Sequence, residues 1–352
     1  MRIKRWRCLL AIVVVLGVTL GLSSGVTQAA KHKGMKIPAE SKATFMIMPE
    51  LPQDNIGGNH LGYFNLRMKT GQERSVRVQI YNPTSETLNI YGQIKDATTR
   101  ENASVDYYGN MLPNRKLLTD PGSQYVSVDK KTVLPAGATK WITIKVKTKH
   151  PFKGVKATAV NLSSMQANQK SAVKNIYRYA IGVVLTGEKI GKNHYQFIET
   201  PSIKTGFTKN RKAAIRIKVN NPDPMYLKHA QMKVKLQNDK WQFIQYSQTL
   251  KDGKVAPNSD FDLDVLLGGK RLVPGTYQLT LTTKNDRYTK TLHKQVLITK
   301  VQARYINRLN AAYLRNRNWI LVGLVVIFLI TAGLVVQRVR KRKRDRHAKD
   351  GQ

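Results

Sequence analysis

The central part of the chain is dominated by apolar residues that alternate with polar ones. Val76, Val78 and Ile80 are separated by Arg77 and Gln79. Further alternating segments are 142–146, 177–185, 215–219, 232–236, 261–265 and 277–281. A period of two predicts strands that bury one face, and strands of this kind pack as β-sandwiches. The most helix-like segment is VQARYINRLNAAYL, Val301–Leu314, which leads towards the C-terminus.

Two continuous apolar runs stand apart from this pattern. The first, LLAIVVVLGVTLGL, follows the basic stretch MRIKRWR and precedes small residues near Ala29 and Ala30. This order predicts a cleaved signal peptide over residues 1–30, followed by a linker at 31–40, and the alternative is an uncleaved anchor. The second run, Trp319–Val336, contains no charged residue and is followed by RVRKRKRDR. Eighteen helical residues span about 27 Å, near the thickness of the hydrocarbon core of a bilayer.

The C-terminal pattern therefore predicts a single-pass type I membrane protein. A juxtamembrane segment at 301–317 leads into a transmembrane helix at 318–337 and a basic tail at 338–352. The positive-inside rule places such a tail in the cytoplasm and the rest of the mature chain outside the cell.

An internal repeat divides the alternating region in two. VRVQIYNPTSETLNIYGQIK and IRIKVNNPDPMYLKHAQMKVKLQ both predict a strand, an Asn-Pro turn and a second strand. VLPAGATKWITIKVK and VAPNSDFDLDVLLG share a Pro-bearing turn before an alternating strand. We expect an all-β fold with two immunoglobulin-like sandwiches in tandem, at about 41–190 and 195–300. The first sandwich carries a polar insertion, Asp96–Lys131.

The formal charge of +39 lies mostly between the two apolar runs. The N-terminal stretch has four basic residues, and the tail has eight against two aspartates. An extracellular domain with this charge attracts polyanions such as teichoic acid, anionic glycan or host glycosaminoglycan. The export signals argue against nucleic acid, and a purely solubilising role is the alternative. Cys8, the single cysteine, precedes the first apolar run, so the mature chain would have no thiol. This suits a Gram-positive type of cell envelope.

The sequence contains no nucleophile elbow and no phosphate-binding glycine loop. The seven histidines are scattered, and none has metal-ligand spacing with another histidine or a carboxylate pair. Asp260, Asp262 and Asp264 share one face of a predicted strand, but calcium loops need a turning backbone around the ion. We interpret the three aspartates as a solvated strand face. The sequence indicates a non-enzymatic protein without a metal or cofactor.

The segment around Tyr63, Phe64 and Asn65 is the first candidate for glycan binding. It follows a loop rich in Gly and Asn, and aromatic rings with amides are a common way to hold sugars. The alternative is that the two rings begin a core strand, with one ring inside and one outside. Asp106 and Tyr107, within the insertion, are the next candidates, because sandwich loops gather at two ends and both segments could meet at one rim.

Several motifs resemble WxL-interacting proteins. PELPQDN, GYFNL and VRVQIYNP look like the opening of that family's peptidoglycan-binding domain, followed by Thr98-Thr99, Val105-Asp106-Tyr107 and the turn Pro151–Gly154. In the second half, Ala256–Phe261 resembles the A-P-N-S-x-F signature and Pro274–Tyr277 resembles P-G-x-Y. The resemblance implies a domain that binds peptidoglycan, a second that binds host components, and WxL surface proteins as partners. It places the Tyr63 loop in the wall-binding domain.

The sequence therefore predicts a non-enzymatic adaptor anchored in the membrane and exposed in the cell wall. Its expected partners are peptidoglycan or teichoic acid, WxL-type surface proteins and host extracellular matrix. One alternative is an adhesin for host glycosaminoglycan or matrix, and a second is an enzyme that modifies the cell wall.

Overall fold

The computed structural model describes residues 45–165, 176–196, 198–200 and 202–347. The predicted signal peptide and linker lie outside the described residues. The fold is two immunoglobulin-like β-sandwiches in tandem followed by helices, so the predicted fold class is confirmed for the described part of the chain.

The first sandwich has two sheets, with strand orders β1-β3-β9-β7 and β2-β11-β10-β4-β8. Its strands are β1 (Met46–Glu50), β2 (Phe64–Arg67), β3 (Glu73–Tyr81), β4 (Leu88–Asp96), β7 (Val126–Val128), β8 (Lys131–Leu134), β9 (Thr139–Lys147), β10 (Val155–Met165) and β11 (Ile176–Thr186). The alternation in the sequence decides the buried face, since Val76, Val78 and Ile80 are buried while Arg77 is exposed.

Two further strands, β5 (Thr98–Thr99) and β6 (Val105–Asp106), pair with each other and form a separate hairpin. We call residues 98–106 the docking hairpin. It begins the predicted insertion, which continues through a loop to a short 3₁₀ helix, Gly122–Gln124, and to β7.

The second sandwich has sheet orders β12-β13-β16 and β15-β14-β17-β18. A 3₁₀ helix, Lys192–His194, precedes it. Its strands are β12 (Ile203–Phe207), β13 (Ala213–Asn221), β14 (Leu227–Asn238), β15 (Gln245–Val255), β16 (Ser259–Leu266), β17 (Gly275–Lys284) and β18 (Thr289–Ile298). Buried aliphatic side chains of both sheets meet around Phe261 and Tyr277.

The internal repeat has a structural basis in two buried asparagines. The side-chain amide of Asn82 donates to the carbonyl oxygens of Leu134 (3.1 Å) and Pro135 (2.9 Å). In the second sandwich, the amide of Asn221 donates to the carbonyl of Ala256 at 2.8 Å. Each Asn-Pro turn is thus bonded to the Pro-bearing turn of its own sandwich. These bonds satisfy backbone carbonyls that would otherwise be buried without a partner.

The C-terminal helical segment is divided, where the sequence predicts one continuous amphipathic helix. The first helix, α1 (Lys300–Leu309), starts with a capping box between Thr299 and Gln302 and buries Ala303 and Ile306 against the second sandwich. The second, α2 (Ala311–His347), is long and apolar enough to cross a membrane. Asn310 separates them: its amide donates to the carbonyl of Gly268 at 3.2 Å, and its Oδ1 accepts from the backbone N–H of Tyr313 at 3.3 Å.

The two sandwiches meet directly at the turn before β10. The backbone N–H of Val155 donates to the carbonyl of Pro224 at 2.6 Å. The preceding residue, Gly154, has φ +78°, and a Cβ at that position would overlap the same carbonyl oxygen. The glycine of the Pro151–Gly154 turn is therefore required both by its backbone conformation and by contact with the neighbouring sandwich.

Replacing Gly154 by Ala should destabilise the protein more than the same change at Gly137. Gly137 also has a positive φ, +65°, but open space surrounds its Cβ position. Gly137→Ala should cost about 1–2 kcal/mol of backbone strain, whereas Gly154→Ala adds overlap at the interface and should cost about 2–5 kcal/mol. Urea unfolding of the full chain in detergent measures both, and equal losses would contradict the interface role.

Candidate functional site

The docking hairpin is held in a tight turn by its own backbone. The N–H of Arg100 donates to the carbonyl of Ser104 at 2.8 Å, and the N–H of Ala103 donates to the carbonyl of Arg100 at 2.8 Å. Ala103 has φ +52°, which a small residue tolerates at a turn. Asn102 further fixes the turn, because its Oδ1 accepts from both the backbone N–H and the hydroxyl of Ser104.

The tip and the first strand of the docking hairpin are inserted into the second sandwich. Ala103 is buried in the core of that sandwich, and its carbonyl accepts from the N–H of Lys254 at 2.7 Å. The hydroxyl of Thr99 accepts from the N–H of Ala256 at 2.9 Å and lies 2.7 Å from the hydroxyl of Ser259. The motif Ala256–Phe261 thus forms part of the surface that the docking hairpin of the first sandwich contacts.

Asp106 organises the base of the docking hairpin and is fully buried. Its carboxylate accepts from Arg100 at 2.6 Å, and from the backbone N–H of Asn110 at 2.8 Å. Burial raises the pKa of Asp106, but the hydrogen bonds from Arg100 and Asn110 outweigh this effect, so the pKa lies below its ordinary value. Asp106 is therefore an ionised structural group that faces no cleft.

A cleft of about 600 Å³ opens beside the docking hairpin, between the two sandwiches. The first sandwich contributes Tyr63, Asn65 and Tyr107, and the outer face of β11 around Gly182. The second sandwich contributes the lining residues Met225, Tyr226, Lys228, Lys254, Asp286 and Arg287. The cleft therefore has a tyrosine-rich interior and a rim with three cationic side chains.

Three tyrosines define the interior of the cleft. The hydroxyls of Tyr107 and Tyr226 are 2.6 Å apart and join the two sandwiches. Burial raises the pKa of both phenols, so they remain neutral donors and acceptors at physiological pH. Tyr63 is half-buried and lies on Gly182, where a Cβ would come within 3.2 Å of the Tyr63 Cβ. A glycine at this point of β11 lets the tyrosine ring rest on the strand.

Cations on the second sandwich surround these rings. The Nζ of Lys254 lies 5.0 Å from the centroid of Tyr226, and burial, followed by the charge of Lys228, lowers the pKa of Lys254. Arg287 donates to the carbonyl of Tyr226 and lies over the ring of Tyr195 at 5.4 Å. The fold thus places Lys228, Lys254 and Arg287 on the same side of the cleft, which concentrates positive charge there.

The structure brings together three of the five residues predicted from the sequence. Tyr63, Asn65 and Tyr107 line the cleft. Phe64 is fully buried in the core of the first sandwich, and Asp106 is buried in the docking hairpin. Asn65 is also engaged internally: its amide donates to the carbonyl of Ile56 at 3.1 Å, and its backbone N–H donates to Asn55.

The sequence reasoning missed the half of the cleft that the second sandwich supplies. Tyr226 follows the second Asn-Pro turn directly, and Arg287 lies in the turn between β17 and β18. Tyr226 could have been predicted as a candidate, because the Asn-Pro turn before it marks an end of the sandwich. The contact with Tyr107 joins residues 119 positions apart and had no local signature.

The aspartates of β16 form an ionic ladder, which corrects their interpretation as a solvated face. Arg216 contacts Asp262 (3.1 Å) and Asp264 (2.9 Å), and Lys218 contacts Asp260 (3.2 Å) and Asp262 (2.8 Å). Arg216 also contacts Glu101 of the docking hairpin at 3.0 Å. In the part of the chain that the structure describes, no group of three or more His, Cys, Asp or Glu side chains is placed to hold a metal ion.

Comparison with protein families gives two matches in tandem. Residues 45–164 match the WxL Interacting Protein, peptidoglycan binding domain, and residues 168–308 match the WxL Interacting Protein, host binding domain. Together they cover more than half of the chain. Among curated proteins, none matches this sequence.

Several solved structures are weakly similar to this chain overall. The YadV chaperone is 12% identical over 72% of this chain and 100% of its own, with a TM-score of 0.30. The CsuC–CsuE pre-assembly complex of Acinetobacter baumannii is 10% identical over 71% and 98%, with a TM-score of 0.32. The Salmonella enterica SafA pilin with the SafB chaperone is 11% identical over 73% and 98%, with a TM-score of 0.29. Nothing about this chain follows from similarities of this size.

Asp106→Asn should destabilise the chain at neutral pH by about 1–3 kcal/mol, because a buried ionised acceptor is lost from the docking hairpin. Since the folded pKa of Asp106 is lowered, its stabilisation is present above the unfolded value, about 3.9, and is lost as the pH falls through the lower folded value. The difference between the wild type and the variant should therefore shrink below about pH 4.

Asp54→Asn is the matched control for this prediction. Asp54 also pairs with an arginine, Arg74, at 2.7 Å, but its side chain is 64% exposed. Exposed ion pairs contribute little, so this variant should melt close to the wild type across the same pH range. Melting curves of the wild type and both variants from pH 3 to 8 measure the effect. If the difference in stability between the wild type and Asp106→Asn stays constant over this range, the ionisation of Asp106 does not contribute to stability.

Proposed function

Because the chain belongs to the WxL-interacting protein family, with a peptidoglycan-binding domain followed by a host-binding domain, we propose that it is a non-enzymatic adaptor held at the membrane. In this proposal, the cleft between the two sandwiches binds the wall polymer. The observation that carries this proposal is the combination of three tyrosines with Lys228, Lys254 and Arg287 in one cleft.

The chemistry of the cleft suits peptidoglycan. Tyrosine rings offer flat apolar surfaces with a polar end, on which sugar rings stack while their hydroxyls form hydrogen bonds. Lysine and arginine side chains bind carboxylates, which peptidoglycan carries on its stem peptides. Tyr63 and Tyr107 are the direct sugar contacts in this proposal. Asn65, Phe64 and Asp106 hold the segments that present them. Teichoic acid is the second wall polymer that this positive charge would attract.

The arrangement offers little for catalysis. Asp286 is the one carboxylate among the described residues that line the cleft, and it is exposed. Paired acid and base chemistry on glycans requires two carboxyl groups that flank the reacting bond. This supports binding over hydrolysis as the function of the cleft.

The second sandwich is assigned to protein partners. Its family description names host binding, and we extend the proposal to WxL-type surface proteins and host extracellular matrix. Co-purification of the full chain from native membranes would identify such partners directly. In this proposal the chain is a single-pass type I protein, with α2 in the membrane and its C-terminal end in the cytoplasm.

Tyr63→Ala should weaken sedimentation with purified peptidoglycan on the order of tenfold, because an aromatic contact contributes about 1–2 kcal/mol. Its melting temperature should stay near that of the wild type, since the ring lies outside the core. Phe64→Ala should instead lose about 3–5 kcal/mol of stability, because a fully buried ring is removed.

Tyr81→Ala serves as the control for an exposed tyrosine, because Tyr81 is 40% exposed on β3, away from the cleft. It should bind as the wild type does. Unchanged binding of Tyr63→Ala, in a protein that melts normally, would remove the cleft from the proposal. A parallel sedimentation with walls stripped of teichoic acid tells the two polymers apart.

The proposed topology predicts the outcome of protease treatment of cells stripped of their wall. Protease should remove the two sandwiches, while an epitope tag fused after Gln352 should survive, because the basic flank of α2 holds the tail inside. Permeabilised cells provide the control, in which the tag must be lost. Loss of the tag from sealed cells would contradict the orientation.

A further inference from the structure

An exposed aromatic turn lies at the end of the second sandwich that is farthest from the docking hairpin. Residues 239–244 connect β14 to β15, and we call them the aromatic turn. Trp241 is 50% exposed and Phe243 is 78% exposed, and their rings meet edge to face at 6.0 Å. The Nζ of Lys240 lies 5.5 Å from the Trp241 ring. Two large exposed rings beside a cation form a contact surface that the wall-binding cleft does not explain.

The strand register puts the aromatic turn at the end from which the chain enters its C-terminal helices. Asn238 of β14 pairs with Tyr277 of β17, and Gly275 at the start of β17 pairs with Ile298 at the end of β18. The N–H of Asp239 donates to the carbonyl of Thr276 at 3.0 Å. Only Thr299 separates β18 from α1, so the aromatic turn and α1 share one end of the sandwich.

Helix α1 has a second apolar face that is largely exposed, with the ring of Tyr305 meeting Phe207 of β12 edge to face at 6.3 Å. Ala303 and Ile306 are buried, whereas Val301, Tyr305 and Leu309 are 75%, 58% and 55% exposed. These three recur at every fourth position and therefore form one stripe. A helix with one apolar face buried against its own domain and a second apolar face exposed needs another apolar environment to cover the exposed face.

The connection to α2 holds this end of the sandwich close to the candidate membrane span. Asn310 bonds Gly268, and a Cβ on Gly269 would overlap the side chain of Asn316 in α2. From Ala311 to Trp319 the helix rises about 12 Å, so the junction at Asn310 lies close to the start of the apolar run. The side chains of α2 from Trp319 to Val336 are exposed, so the helix does not fold back along the sandwich.

Charge at this end is almost entirely positive. Residues 299–318 contain five basic residues and no acidic one, and the aromatic turn adds Lys240 beside a single acid, Asp239. Basic side chains next to a membrane are attracted to anionic lipid headgroups by about 1 kcal/mol each. Tryptophan and other aromatic residues are favoured at the same depth.

We propose that the aromatic turn and the exposed stripe of α1 dock the second sandwich on the outer surface of the bilayer, with Trp241 and Phe243 inserted among anionic phospholipid headgroups. The proposal rests on the membrane anchor of the proposed function. Docking fixes the tilt of both sandwiches above the membrane, so that the cleft is held at the far end, towards the wall.

Tryptophan quenching by brominated lipids tests this contact with the full chain in nanodiscs. Three variants each retain one tryptophan, at 141, 241 or 319, with the others replaced by Phe. Trp319 reports insertion of α2. Trp141 is the matched control, since it is 44% exposed and lies under a cation, Arg77, at 4.8 Å, but belongs to the first sandwich. Trp241 should be quenched at least about twofold more than Trp141 by shallow bromine labels.

Each outcome separates the docking from the anchor. Quenching of Trp319 alone, with Trp241 no higher than Trp141, overturns the docking and leaves the anchor intact. Absence of quenching at Trp319 overturns the anchor and the docking with it. Lys240→Glu should reduce the quenching of Trp241 in discs that contain phosphatidylglycerol, and no reduction would overturn the role of anionic headgroups. Loss of host-matrix binding on substitution of Trp241, without lipid quenching, would assign the turn to a protein partner instead.

Discussion

The docking hairpin is the contact on which the rest of the molecule depends. A methyl side chain, Ala103, enters the core of the second sandwich, and one hydroxyl, Thr99, satisfies the backbone of Ala256. The ion pair inside the hairpin keeps its two strands together, and Glu101 extends the ionic ladder of β16. These contacts combine apolar burial with paired polar groups at Thr99, Arg100 and Asp106, which makes the joint specific in register as well as stable. Together with the contact between Val155 and Pro224, this joint sets how the two halves of the cleft face each other.

The fold could be predicted from the sequence because its determinants are local. Alternation along β3 and β13 decides which residues are buried, and the Asn-Pro turns mark the repeated unit. The division between α1 and α2 could not be predicted in this way. The periodic apolar pattern continues through Asn310, and the helix ends there because its side chain binds Gly268, a residue 42 positions earlier. A contact at that separation leaves no mark in a helical pattern.

The candidate site was predictable in its first half only. The alternation at Tyr63 and Phe64 implied one ring inside and one outside, and the structure assigns the inner place to Phe64. The roles of Asp106 and Tyr107 depend on the position of the insertion relative to the second sandwich. That position is set by packing against residues more than a hundred positions away in the sequence. Two of the motifs that resemble the family, Ala256–Phe261 and Pro151–Gly154, lie at the joint between the sandwiches. They are constrained by the shape of that contact, whereas Tyr63, Asn65 and Tyr107, which line the cleft, come from the motifs GYFNL and Val105–Tyr107.

The docking hairpin has a consequence for how the protein can be divided into modules. In sequence it belongs to the first domain, but in space it completes the core of the second. A cut between β11 and β12 would leave the second sandwich with a hole where Ala103 sits, and with an unpaired backbone N–H at Lys254 and at Ala256. The two sandwiches therefore form one structural unit. Recombination between β11 and β12 would transfer the second sandwich without a piece of its own interior, so such exchanges must carry the docking hairpin along.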